Sequence, residues 1–334
     1  MNKKRIIEYL KEKNCKELFK EANGIRKAFC GDEVHIRGII EFSNYCLHSC
    51  LYCGLRQQNK KIPRFRMSPD EIIKLANETI QCGVKTIVLQ SGDDFEFSER
   101  IVSEIISKIK KKNPDIAITL SIGERPLDDY KAFKDAGADR YLLKHETANP
   151  MLYEKLHPGQ TLKRRLQILD YLKDLGYQIG AGNIVGLPGQ SLEDLADDVL
   201  LLKELDVDMA GIGPFIPQKD TPLSNFPSGS LELTLKVLAL TRILTENAHL
   251  PATTALATLA PEKGQLLGFR AGANVIMPDF TPECYRKNYV IYDNKVRVNL
   301  EKAKEIIFKV QRVVSQNRGD SLKCKKPPKV CACI

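Results

Sequence analysis

No stretch of the 334-residue chain approaches the ~20 apolar residues needed to cross a bilayer. The opening MNKKRIIEYLKEKN is charged and amphipathic, and it lacks the apolar core and cleavage site of a secretory leader. The glycine-rich GAGNIVGLPGQ, residues 180–190, has no Gly-Lys-Ser/Thr and is not a phosphate-binding P-loop. The body of the chain also has no basic stripe with interleaved aromatics, which nucleic-acid binding would require. These absences predict a soluble, cytoplasmic protein with neither a membrane nor a nucleic acid as partner.

What is present fits a folded enzyme-sized chain. It is 43% hydrophobic and 28% charged, enough for a large core and too apolar for general disorder. The length suits one α/β barrel or two ordinary domains. Ten cysteines without a secretion signal read as thiols or metal ligands rather than a disulfide framework. The formal charge of +9 is unevenly placed. Residues 1–27 hold nine Lys/Arg against four Glu, and residues 301–334 hold nine Lys/Arg against three acids, so the body is slightly acidic. The basic ends are either solvated termini or a docking surface for an acidic partner.

From residue 34 a short apolar run alternates with a longer helical pattern. The expected strands are 34–40, 85–90, 116–122, 140–146, 177–186, 208–216, 250–256 and 273–278. Helical segments between them carry their own start signals, such as the Ser68-to-Glu71 capping box with Pro69 at the first helical position. Ser191 to Asp194 repeats that box in weaker form. Alternating strands and helices imply a parallel sheet, and eight repeats predict closure into a TIM-type (β/α)8 barrel with ligands at the C-terminal strand ends. A doubly wound sheet would place a dinucleotide fingerprint after the first strand, where this chain has a cysteine loop. The expected organisation is a helical extension over 1–33, a barrel over 34–298, and a closing helix with a Cys/Lys-rich tail over 299–334.

The cysteine loop, EFSNYCLHSCLYCGLR, places Cys46, Cys50 and Cys53 at Cys-x3-Cys-x2-Cys spacing. A closed zinc site uses four ligands, and His48 is poorly spaced to be the fourth. An iron–sulfur cluster held by three thiolates would keep one iron open, as reactive sites do.

Further candidates lie at strand ends. In RYLLKHETANP, period-two alternation puts Arg140, Leu142, Lys144 and Glu146 on one face and Tyr141, Leu143 and His145 on the other. Inward charges are costly unless paired or used, so that face is either an ion-paired core or a ligand wall. His145 reads as an outer-face histidine. Thr119 and Ser121 end the third strand, and Thr253 and Thr254 end the seventh; their hydroxyls either bind a small polar ligand or cap helices. Gln90 ends the second strand, just before Ser91-Gly92-Asp93. The glycines of 180–186 suggest close backbone approach to a flat ligand such as adenine.

The cysteine motif, with Tyr52 at its aromatic place, resembles the signature of the radical S-adenosylmethionine (SAM) superfamily. That resemblance implies a [4Fe-4S] cluster on Cys46, Cys50 and Cys53, with SAM chelating the open iron. It implies reductive cleavage of SAM to a 5′-deoxyadenosyl radical, with the electron coming from a reduced donor. Ser91, Gly92, Asp93, Glu146 and Arg165 would contact SAM, Arg165 by pairing with Glu146 or reaching the cofactor. Gln90, Thr119, Ser121, Arg140, Lys144, Thr253 and Thr254 would contact the substrate. Within the superfamily, TIVLQSGDD, GADRYLLKHETANP, DMAGIGPFIPQKDTPL, PATTAL and GANVIMPDFTPECYR resemble the HydE family of [FeFe]-hydrogenase maturases. Biotin synthase and methylornithine synthase are related alternatives; the latter would turn over lysine. The HydE resemblance implies assembly of the H-cluster diiron subcluster from a small anionic iron synthon bearing cysteine, CO and cyanide. It also implies exchange with the companion maturases HydG and HydF.

Two departures stand out. The family often carries Arg where this chain has Lys144, which keeps the charge but loses the bidentate fork. Some relatives hold a second cluster near the eighth strand, yet VIYDNKVRVNLEKA has no cysteine. The remaining tail cysteines, Cys324, Cys331 and Cys333, are spaced differently and are expected to bind metal loosely or not at all.

Overall fold

β-Branched and apolar runs bounded by capped helices form a ring of parallel strands, seen in a computed structural model that describes residues 1–323. Two helices, α1 (Lys3–Lys11) and α2 (Lys16–Cys30), precede the first strand, β1 (Glu33–Ser43). Then come α3 (Pro69–Gln81), β2 (Thr86–Ser91), α4 (Glu99–Lys112), β3 (Ala117–Ser121), α5 (Leu127–Asp135) and β4 (Arg140–Leu142). The second half runs α6 (Pro150–Leu156), α7 (Leu162–Asp174), β5 (Gln178–Ala181), β6 (Ile184–Val185), α8 (Leu192–Glu204), β7 (Met209–Ala210) and β8 (Gly213–Pro214). It closes with α9 (Leu231–Thr245), α10 (Thr254–Leu259), α11 (Gly264–Arg270), β9 (Val275–Ile276), α12 (Glu283–Arg286), α13 (Leu300–Lys309) and β10 (Val313–Val314).

The ladder runs β1-β2-β3-β4-β5-β7, all parallel. It closes through isolated bridges, Met209 to His249 and Pro251 to Val275, after which β9 pairs with β1. The eight-fold barrel is therefore present, but its seventh station is two bridges rather than the expected strand over 250–256. Pro251 has no N–H to donate to a ladder, and the Thr253 side chain already accepts from Leu256 N to start α10. The fourth strand likewise stops at Leu142, and beyond it Glu146 leaves extended geometry with φ of 60°. The small β6–β8 pair sits beyond the fifth and sixth stations.

Helix starts follow the sequence. Ser68 and Glu71 form a reciprocal capping box, as do Ser191 and Asp194. The helices turn apolar faces inward, α4 for example burying Val102, Ile105, Ile106 and Ile109. The two leading helices pack on α8 and α9. Lys236 of α9 donates to Glu12 O at 2.6 Å and to Leu10 O at 3.2 Å, satisfying carbonyls at the end of α1.

The floor of the barrel is closed by residues that follow α13. β10 pairs with β1, and the chain then runs beneath the ring. Arg140, fully buried, donates to Gln178 Oε1, Thr86 Oγ1, Arg318 O and Asp320 Oδ1 at 2.9–3.0 Å. Arg318 bonds Asp139 at 2.7 Å, and Ser321 donates to Asp208 at 2.5 Å. Residues 313–321, expected to lie partly in a tail, are thus built into the barrel. This also corrects the expectation that Arg140 faces a substrate: its fork is fully engaged in holding the floor, at the N-terminal end of the strands. Cys324, Cys331 and Cys333 lie outside the described residues. Among the described residues no helix is long and apolar enough to cross a membrane.

Candidate active site

At the opposite, C-terminal end of the strands lies a cavity of about 400 Å³. Cys46, Cys50 and Cys53 all line it, along with Tyr52. The loop that carries them is held at both ends. Arg64 donates to the carbonyls of Asn44, Leu55, Arg56 and Asn59. Asn44, fully buried, bonds Pro63 O and Asn288 O, each at 2.8 Å. Gly54 lies so close to residue 290 that a Cβ would overlap Val290 O. A glycine is required there by close approach, since its φ is not positive.

The three thiols are strongly perturbed. Burial, with the Asp93 carboxylate and the Cys53 sulfur adding to it, pushes Cys46 up to about 12. Burial chiefly pushes Cys53 up to about 11, and burial with the other two sulfurs raises Cys50 well above a normal thiol. Three thiolates packed this way need a positive group among them, which a cationic iron–sulfur core provides. Among the described residues no three Cys, His, Asp or Glu side chains gather around a point as ligands of one ion would. A four-iron cluster instead takes its three thiolates on three separate irons. The donor set itself, three cysteine sulfurs on one loop facing one cavity, is the chemistry such a cluster uses.

Around the loop, contacts that sequence reasoning did not foresee fix the geometry. Tyr52 OH bonds His157 Nε2 at 2.7 Å, while His157 Nδ1 bonds Tyr153 O at 2.7 Å. Since a carbonyl only accepts, Nδ1 carries the proton and Nε2 accepts from the tyrosine. Burial, in competition with the Tyr153 carbonyl, lowers His157 to about 4, so the ring is neutral. His48 bonds Asp93 at 2.7 Å. Burial opposes charge on that imidazole, but the Asp93 bond more than offsets it. Asp93 also accepts from Glu124 N at 2.8 Å.

Gln90, Ser91, Gly92 and Asp93 all line the cavity after β2. Gly92 N donates to Ser43 O at 3.3 Å, and a Cβ on Gly92 would overlap Tyr45 O and come within 2.7 Å of Cys46 Cβ. The second strand end and the cysteine loop are therefore in backbone contact.

Lys144 and Glu146 also line the cavity and pair with each other at 2.9 Å. Glu146 is held in left-handed backbone by Glu146 N to Gly182 O and Ile184 N to Glu146 O. Arg165 does not pair with Glu146, contrary to one expectation. Its Nε donates to Glu124 at 2.7 Å, Nη1 to Lys144 O at 2.8 Å and Nη2 to Gln160 at 3.0 Å. The buried guanidinium remains cationic, because Tyr153, Glu124 and Asp93 more than offset its burial. Arg165 still reaches the cavity wall, as does Gln160 beside Cys50. Glu124 carried no motif and followed a glycine turn, so only the fold reveals its role.

Ser121, Thr253 and Thr254 line the cavity, with Thr253 also capping α10. Thr119 does not: it sits one pleat lower, in register with Arg140, its Oγ1 buried and unpartnered among the described residues. His145 points outward, 3.5 Å from Asp198 of α8. Neighbouring strands closely approach two of the glycines near 182. Gly182, at φ of 150°, has no room for a Cβ beside Gly211 O, and Gly180 none beside Leu142 and Met209. Other wall residues were not anticipated: Glu41, Met277, Phe215, Tyr289, Tyr292 and Lys295. Glu41 was legible in principle, lying at period two from Ile39 at the end of β1.

Comparison with known proteins agrees with this arrangement. Residues 40–202 match the Radical SAM superfamily model. The chain is 55% identical over 281 residues to the [FeFe] hydrogenase maturase subunit HydE of Thermotoga maritima, covering 84% of this chain and 80% of that protein. It is 27% identical over 305 residues to 3-methylornithine synthase of Methanosarcina acetivorans, covering 90% and 85%. Among solved structures, methylornithine synthase PylB superposes with a TM-score of 0.81 at 22% identity, covering 94% of each chain. The maturase HydG gives 0.81 at 19% identity, covering 95% of this chain and 73% of its own. The last two establish the barrel alone, but the first relative, read with the cysteine loop and its cavity, places this chain in the HydE family of radical SAM enzymes.

Proposed function

We propose that this enzyme acts in maturation of [FeFe] hydrogenase, using SAM to modify a small anionic iron synthon on the way to the H-cluster diiron subcluster. The observation that carries the reading is the convergence of Cys46, Cys50 and Cys53 with the Lys144–Glu146 pair on one cavity, in a chain 55% identical to a HydE.

Cys46, Cys50 and Cys53 would hold the cluster. When bound, such a cluster would supply the single electron for reductive cleavage of SAM. The protein's part is to bind, orient and exclude water. The backbone at Ser91–Asp93 abuts the cysteine loop, a suitable cradle for the amino-acid end of SAM. Glu146, locked by its backbone, offers a carboxylate to ligand hydroxyls, and Arg165 holds the wall between Lys144 and Gln160. When a ligand draws on Glu146, the Lys144 ammonium is left for a negatively charged substrate. Gln90, Ser121, Thr253 and Thr254 supply neutral polar contacts, while Phe215, Ile184 and Met277 keep the remainder apolar. Arg140, its fork fully engaged in the floor, has no part in substrate contact.

In this reading the protein works in the cytoplasm, receives its synthon from HydG, passes product to HydF, and takes electrons from a reduced carrier. The test is anaerobic maturation of apo-hydrogenase with HydG, HydF and this protein. Hydrogen evolution should depend on its presence and disappear with Cys50→Ala, which should also form no 5′-deoxyadenosine while keeping its far-UV circular dichroism. Maturation that proceeds equally without the protein, or turnover of lysine to methylornithine, would overturn the assignment.

A further inference from the structure

The cysteine loop has two faces. The inner one lines the cavity that SAM and substrate would fill, which leaves no approach there for a second protein. The outer one forms a separate shallow groove of about 260 Å³, lined by Tyr45, Cys46, Leu47, Lys60, Arg64 and Arg66 among others. Cys46 lines both, so one of the three candidate ligands joins the outer surface to the site. Charge on the outer face has one sign. Residues 42–69 contain Arg56, Lys60, Lys61, Arg64 and Arg66 and no acid, within a body that is slightly acidic as a whole. Two carboxylates reach the groove, and both are already held. Asp94 accepts from Arg66 at 2.7 and 2.9 Å and from Ser43 at 2.6 Å, while Asp93 bonds His48 at 2.7 Å. Lys61 reaches Asp220 at 2.8 Å, but among the described residues Arg56, Lys60 and Arg64 pair with no carboxylate. Beside this charge stand two exposed apolar side chains, Leu47 at 53% and Phe95 at 43%, linked through the bond from Leu47 N to Asp93 O. Apolar contact with a cationic rim is the make-up of a protein-docking patch.

We propose that this outer face docks a small acidic protein that carries one electron at a time and passes it in on the Cys46 side of the loop. The lysines and arginines steer an anionic partner toward the groove and repel a cationic one. Leu47 and Phe95 supply the limited apolar contact of a brief encounter, since redox partners sit at the small end of interface sizes. Electron tunnelling weakens steeply with distance, so a carrier gains most where a ligand sulfur already borders the surface. The step is a single electron transfer. With a flavin carrier, the hydroquinone anion becomes the neutral semiquinone, the oxidised cluster takes the electron, and no bond or proton moves. The face rests on the reading that Cys46, Cys50 and Cys53 hold a reducible cluster, and it is independent of which substrate the cavity takes.

The experiment uses the full-length, cluster-reconstituted protein and an acidic bacterial flavodoxin. Anaerobic biolayer interferometry measures binding of the oxidised flavodoxin, and stopped-flow absorbance follows semiquinone formation from its hydroquinone. Affinity and rate should both fall steeply between about 50 and about 200 mM NaCl. The double variant Lys60→Glu with Lys61→Glu, at two exposed positions, should lower both by about tenfold or more at low salt. Lys13→Glu with Lys20→Glu makes the same change of net charge at exposed positions of the leading helical segment, and should lower them by about twofold at most. Iron content and the EPR signal after dithionite should be unchanged in both. Salt-independent binding or no binding by the unsubstituted protein, or equal losses in the two double variants, overturns the docking face while the dithionite signal keeps the cluster. No iron–sulfur signal after dithionite in the unsubstituted protein would remove the cluster reading and the face with it. Failed hydrogenase maturation with charge-sensitive reduction intact would instead remove the maturation role and leave the face standing.

Discussion

The carboxylate of Asp93 occupies the space that a side chain at position 123 would need. Gly123, at φ of 76°, lets Asp93 sit directly over it while bonding Glu124 N and His48 of the cysteine loop. Replacing Gly123 with Ala adds left-handed strain, roughly 1–2 kcal/mol, and pushes Asp93 off its seat. The expected outcome is a folded protein with a lower Tm and less iron retained after reconstitution, measured by iron assay and EPR. Full iron occupancy in Gly123→Ala would show that the Asp93–His48 link does not brace the loop.

Glu146 offers a second test, independent of the loop. Glu146→Gln keeps the shape and the backbone while removing the charge. SAM affinity should fall about tenfold, near 1.4 kcal/mol, with iron content unaltered. Equilibrium dialysis with labelled SAM checks this, and unchanged affinity would mean that the residue only neutralises Lys144.

Glu124 was not legible as a functional position, yet it carries the charge balance of Arg165. In Glu124→Gln the buried guanidinium would keep Lys144 O and Gln160 but lose its ionic partner. Breaking a buried pair from one side costs about 3 kcal/mol. Urea unfolding should show that loss as a lower midpoint with an unchanged slope. Glu124→Ala should be no better than Gln, because the missing element is charge rather than bulk.

The Glu41 carboxyl sets a pH dependence. Burial first, with Asp279 adding to it and Lys295 opposing it, raises Glu41 from 4.5 to about 7. A raised carboxyl binds its proton more tightly in the folded state. Its contribution to stability is full below pH 4.5 and is lost as pH rises through 7. Between about pH 5 and about pH 8, the stability of the unsubstituted protein relative to Glu41→Gln should fall by on the order of 2 kcal/mol. A flat difference would place the titration elsewhere.

Much of this architecture was written locally. The Ser68 and Ser191 boxes and the first three strands are short-range patterns that appear where the chain says they should, while the later strands are shortened, split or, at the seventh station, reduced to two bridges. What was hidden depends on which residues meet. Period two put Arg140 and Lys144 on one inward face correctly, but it does not tell the floor of a barrel from its mouth. Four residues of rise separate a floor clamp from a cavity wall. Arg165 was expected near Glu146, because no local rule reveals that Glu124 arrives from another turn. Lys295 and Tyr289 come from an irregular stretch with no period at all, so only tertiary structure brings them to Glu41.

The floor clamp also has a kinetic meaning. β1, made early in synthesis, pairs with β10 some 280 positions later, Glu33 facing Val313 and Val34 facing Val314. Arg140 cannot satisfy its guanidinium until Asp320 has left the ribosome. Closure of the floor is therefore a high-contact-order event that comes after the ring's own closure by β9 on β1, leaving the base of the barrel open until residues 313–321 are in place.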